Sequence, residues 1–155
     1  MPTSFLEFME LLSYLATVIG IPLAILTFTS QERKERQSEQ EEIYDQLMDH
    51  YDDIKEKLFE YPELDQHDTT LTDPESARRQ RILYEMLISL FERAFILLHG
   101  ETDPAYRRMW NSWIDYIEYW TSRPNFREAL PDMMRGEDPD FTAFIAKLTE
   151  MDLKP

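Results

Sequence analysis

Cysteine is absent from the 155-residue chain, which removes disulfides, thiolate metal sites and a cysteine nucleophile together and fits a reducing compartment. Basic side chains are few, with 16 Lys and Arg against 31 Asp and Glu, a formal charge of −15. Nucleic acid is therefore not an expected partner, because neutralising phosphates takes clustered Lys and Arg. Three glycines beside nine prolines leave little room for flexible linkers. The sequence also has no Gly-rich phosphate loop, no Gly-x-Ser-x-Gly elbow, no His-Glu-x-x-His and none of the Glu-x-x-His pairs of carboxylate-bridged di-iron bundles. No enzymatic role, metal or cofactor is expected. What is abundant is large and apolar: eight Met, eight Tyr, nine Phe and three Trp. That is too much for a disordered acidic tail, so the acidic part should fold.

Residues 11–30, LLSYLATVIGIPLAILTFTS, carry no ionisable group except the Tyr14 phenol. Twenty helical residues at 1.5 Å rise span about 30 Å, the thickness of a bilayer's hydrocarbon core. Gly20 and Pro22 suit a soluble helix poorly and a membrane span well. A signal peptide would want a basic start, whereas the first ten residues hold Glu7 and Glu10 and no Lys or Arg. A buried core helix in so small a protein seldom sustains such a run. The flanks orient the span. Arg33, Lys34 and Arg36 follow it and nothing basic precedes it, so the N-terminus should face outside and the rest the cytosol, at a plasma or inner membrane. Phe5, Phe8 and Tyr14 lie toward the outer end, where aromatic rings suit the headgroup level. Paired intramembrane charges are missing, and one span forms no channel or transporter alone.

Residues 1–36 hold three of the basic and four of the acidic side chains, so residues 37–155 carry −14. Beyond the basic collar this part is repelled by anionic headgroups and should stand off the surface. The expected organisation is an anchor at residues 1–30, a juxtamembrane helical connector at 31–42 and a helical bundle at 43–155.

The bundle reads as all-α, with four or five helices, because apolar residues recur at three- and four-residue steps. Asp73-Pro74, Asp103-Pro104 and Asp138-Pro139 each place a capping carboxylate before a proline at the first helical position. Gly100 and Gly136 stand where helix-closing residues belong. The first bundle helix should continue from residue 31 to about Glu60. Its seam of Tyr44, Leu47, Tyr51, Ile54, Leu58 and Tyr61 has heptad spacing over too short a length for a coiled coil, so it should pack within the chain, although a homo-oligomer is compatible with it. The helix after Pro74 has an apolar arc of about 240° and should be central. Arg93 lies inside that arc, and burying it would demand a carboxylate partner. A third helix over residues 104–120 gathers Trp110, Trp113, Ile117 and Trp120 on one side, an aromatic stripe that reads as core, with Tyr119 opposite among Arg108, Ser112 and Asp115. A short helix around residues 125–135 and an amphipathic one with Phe141, Phe144, Ile145, Leu148 and Met151 inward should follow.

The histidines carry little chemistry. His50 has Asp45, Asp49 and Asp53 about it, which reads as a solvated acidic helix face, His67 lies in the polar stretch 65–72, and His99 ends a helix, where a cation meets the dipole.

The span ending TSQERKERQ, the Tyr-x-x-Leu-x-x-x-Tyr seam followed by FEYPELD, and WNSWIDYIEYWTSRPNFREAL together resemble small bacterial single-pass membrane proteins of unknown function. The resemblance implies a span followed by a soluble helical region with a Pro-Glu-Leu turn and paired Trp, and lends no catalytic residues. Two functions are expected on this footing. One is a membrane-tethered interaction or accessory protein that meets the bilayer through residues 11–30 and a protein partner through its bundle. Tyr119, with Trp110, Trp113 and Trp120 about it, is the candidate contact. The other is a membrane-anchored small-molecule or metal sensor, which would need a closed pocket with convergent polar groups.

Overall fold

The computed structural model describes the backbone of residues 3–154 and the side chains of Met9 and residues 23–154. The described residues are helical without strands: α1 (Thr3–Glu60), a 3₁₀ turn at Pro62–Asp65, α2 (Pro74–Leu98), α3 (Pro104–Thr121), α4 (Pro124–Met133) and α5 (Pro139–Thr149). The chain divides into two compact units, Met1–Glu42 and Ile43–Pro155, and α1 contributes to both. Among the described residues no helix is long and apolar enough to cross a membrane. The expected span at residues 11–30 lies largely outside them, since only residues 23–30 have described side chains, all exposed.

The second unit starts its helices where the Asp-Pro pairs stand. The Asp73 carboxylate accepts from the Ser76 N–H at 2.8 Å, that of Asp103 from Ala105 at 2.7 Å, and that of Asp138 from Asp140 and Phe141 at 2.9 and 3.0 Å. Each following proline lacks the N–H that a first turn leaves unpaired anyway. Helix α4 starts on Pro124 without a side-chain cap. Gly100, directly after the last residue of α2's cap, takes φ +82°, and Gly136 takes φ +90° in the turn before α5. These are left-handed conformations that close a helix at low cost only without a Cβ.

Helix α2 is central, packing against α3, α4, α5 and the 3₁₀ turn. Its buried face is Leu83, Tyr84, Leu87, Ile88, Leu90, Phe91, Ala94, Phe95 and Leu98. From α1 the seam sends Leu47, Tyr51 and Ile54 into the same core, with Leu58 and Tyr61 half-buried beside it. The aromatic rings interlock edge to face: Tyr51 and Phe91 on Trp113, and Tyr84 on Trp120 and Phe126, with centroids 5.0–6.4 Å apart. Such pairs add to burial because ring edges and faces carry opposite partial charge. Trp120 donates its indole N–H to the Tyr51 hydroxyl at 3.3 Å, and burial raises the Tyr51 phenol above its ordinary range. The Tyr84 phenol, buried without a hydrogen-bond partner, is pushed up to about 12.

Long-range polar clips tie the connection between α1 and α2 to the bundle. The buried Gln80 amide donates to the carbonyls of Leu64 and Gln66 at 3.0 and 2.8 Å. Asn125 reaches the carbonyls of Gln66 and Thr69, and its own N–H donates to His67. Arg127 joins two helix ends, donating to Thr121 at the close of α3 and to Thr149 at the close of α5.

Candidate functional site

Helix α2 is central as expected, and its apolar arc is wider than its neighbours cover. Ile82, Met86, Ile96 and Leu97 remain between 38% and 60% exposed. With 3.6 residues per turn these positions share the side of the helix turned away from Leu87 and Phe91. Along this side α2 and the last turns of α1 leave an open groove of about 400 Å³ lined by His50, Asp53 and Ile54 from α1 and by Ile82, Glu85, Met86, Ser89, Leu90 and Arg93 from α2. A smaller apolar recess of about 180 Å³ adjoins it through Ile82 and Met86, between Lys57 and Tyr61 on one side and Arg79 on the other. The two recesses make one apolar strip with cations at its ends and carboxylates between. The groove is open and offers apolar contact area with a pattern of charge along it.

Arg93 lies on this strip and is exposed, so the carboxylate that burial would have demanded is not needed. The buried arginine is Arg123, whose side chain is 5% exposed. It donates to the Asp65 carboxylate at 2.6 Å and to the Asp65 carbonyl, and its guanidinium stacks 4.3 Å from the Trp120 ring centroid. Arg guanidinium suits this place because it is planar, weakly hydrated and able to stack while it donates. Nothing in the sequence singles out Arg123 beyond its place before Pro124 and next to the aromatic stripe. Its partner stands 58 residues away.

The other sequence-predicted contacts separate sharply. Trp113 and Trp120 are buried and have no surface to give a partner, Trp110 is half-buried, and Tyr119 is 56% exposed on the outer side of α3, beneath Arg123 at 5.5 Å. Arg33, Lys34 and Arg36 are exposed along α1. His50 lines the groove beside Asp53, and among the described residues no group of His, Asp and Glu is placed to hold a metal ion. His99 does more than end α2: its ring stacks on Phe95 at 4.4 Å and meets Trp110 and Phe144, joining α2, α3 and α5.

One acidic pair stands apart from the groove. Glu92 of α2 accepts from the N–H of Asp138 at 2.5 Å, at the start of α5, and faces Glu137. Burial, then a hydrogen bond and like charge from Glu92, raise the Glu137 carboxyl to about 7.

No family model, curated protein or solved structure matches this chain.

Proposed function

We propose that the chain is a membrane-tethered helical interaction protein, an accessory subunit or adaptor whose cytosolic bundle docks a protein partner. The observation that carries this reading is the open apolar side of α2, where Ile82, Met86, Ile96 and Leu97 stand exposed on a strongly acidic domain. Side chains of this kind left in a row on a charged surface mark contact sites. The alternative of a sensor would need a closed pocket with convergent polar groups, and the groove is open and mostly apolar. Tethering rests on the uncharged run at residues 11–30 and on Arg33, Lys34 and Arg36 after it, and is in keeping with the resemblance to small bacterial single-pass membrane proteins.

The test uses the tagged full chain purified in mild detergent. Proteins that co-purify should be lost when Ile82→Asp places a charge on the strip, with helicity unchanged because the site is exposed. An unchanged set of co-purifying proteins would remove α2 as the docking side. A reporter active only outside the cytosol, fused after Pro155, should stay silent; activity there would reverse the topology.

A further inference from the structure

The open side of α2 carries a pattern about Ser89 that is complementary to its own reverse. Ser89 stands at its middle, Glu85 and Arg93 lie four residues before and after, and Ile82 and Ile96 lie seven residues before and after. All five are exposed, and at 3.6 residues per turn they fall within an arc of about 80°, with the isoleucines about 10 Å on either side of Ser89. We propose that a second copy of this chain docks here, α2 against α2 in antiparallel register about a two-fold axis at Ser89. This rests on the reading of the chain as an interaction protein and names its partner.

In that register Glu85 meets the second copy's Arg93 at the same height, twice over, and Ile82 meets the second copy's Ile96. A two-fold interface requires such self-complementarity, because each surface meets itself. Local charge complementarity points to a second copy. Two chains of −15 repel at distance, so self-association needs a cation on the contact side to face an acid. Arg93 supplies it: among the described residues it has no carboxylate partner, whereas Arg78, Arg79 and Arg81 of the same helix are paired. Glu85 meets Arg81 through Oε1 at 3.0 Å, which leaves its second oxygen for a further donor. The small Ser89 side chain at the crossing lets the helix axes approach to about 8–10 Å, the ordinary packing distance.

Zero cysteines make the test clean. In the full chain in mild detergent, Ser89→Cys places one thiol at the axis and should give a disulfide-linked dimer as the main product of mild oxidation. Ser112→Cys, on the exposed side of α3, should give far less. Sedimentation should show Glu85→Arg and Arg93→Glu each weakening the dimer about tenfold or more, since each sets like charges face to face. The two reversals combined should return it to within about threefold of the parent. Equal cross-linking at the two positions, or a double reversal no better than its singles, overturns the proposal. A monomeric parent that loses co-purifying proteins with Ile82→Asp also overturns it and leaves the interaction reading standing, with a different protein on α2. A monomeric parent whose co-purifying proteins are unaffected overturns both.

Discussion

On one side of α2, Leu87, Phe91 and Ala94 are closed over by the rest of the core; on the other, Ile82, Met86 and Ile96 are as apolar and stand open. The two arginines divide in the same way. Arg123, next to the aromatic stripe, is enclosed, stacked and paired, whereas Arg93, inside the apolar arc, points to solvent. The difference teaches that hydrophobic periodicity describes what a helix could bury, and neighbours decide what it does bury. Helix α1 brings only the narrow seam of Leu47, Tyr51 and Ile54 into the shared core. The surplus apolar side stays at the surface, where the proposed docking would use it.

The largest break in this comparison should come from a matched pair of truncations. Trp113→Ala removes a ring buried against Tyr51, Phe91 and Tyr116 and should cost about 3–5 kcal/mol of unfolding free energy. Met86→Ala, on the open side, should stay within about 1 kcal/mol. Chemical denaturation of the two variants measures the contrast, and comparable losses would mean that the open side is covered. The arginines give the next step. Arg123→Met forfeits the Asp65 pair and the Trp120 stacking, though it leaves behind an Asp65 carboxylate that is already half solvated. A loss of about 2 kcal/mol is expected. Arg93→Ala should change stability by no more than about 0.5 kcal/mol.

Much of this fold was legible because its signals are local. The three Asp-Pro pairs cap and start α2, α3 and α5 within a few residues of themselves, and Gly100 and Gly136 hold the positive φ that their positions imply. Tyr119 falls on the exposed side of α3 because the half-turn that separates it from Trp110 follows from helix geometry alone. Long-range pairings were not legible. The burial of Arg123 depends on Asp65, and the role of His99 depends on Phe144, neither of which leaves a mark nearby in sequence. The candidate groove was hidden for a related reason, since Ile82 and Met86 satisfy the same period as Leu83 and Leu87, and only the placement of the neighbouring elements separates them.

On the covered side, acidity should matter through Glu137. Its folded carboxyl titrates near 7 against an ordinary 4.5, so folding takes up a proton between these values. A raised carboxyl favours the protonated fold at low pH, and that contribution is lost as pH rises from 4.5 through about 7. Glu137→Gln should therefore stabilise the protein above pH 7 and flatten the stability profile below it. Because the group is only partly buried, the gain should be about 1 kcal/mol. Thermal melts of parent and variant across this range check it, and parallel profiles would show that Glu92 and Glu137 do not share a proton.

The smallest expected effect lies where α5 ends. Gly100 and Gly136 adopt positive φ without penalty, but the C-cap of α5 is Glu150, at φ 55° and ψ 33°. For a residue with a Cβ this left-handed conformation costs about 1–2 kcal/mol. The surroundings hold it there: the Met151 N–H returns to the Ala146 carbonyl at 3.1 Å, Arg127 grips the Thr149 carbonyl at 2.8 Å, and Leu153 is buried just beyond. Glu150→Gly relieves the strain while giving the unfolded chain more freedom, so the two effects partly cancel. The net expectation is a gain of about 0.5 kcal/mol, read as a rise in the denaturation midpoint with an unchanged slope. Glu150→Ala keeps the Cβ and should give no such gain. Equal behaviour of the two variants would place the effect in the lost charge instead of the backbone.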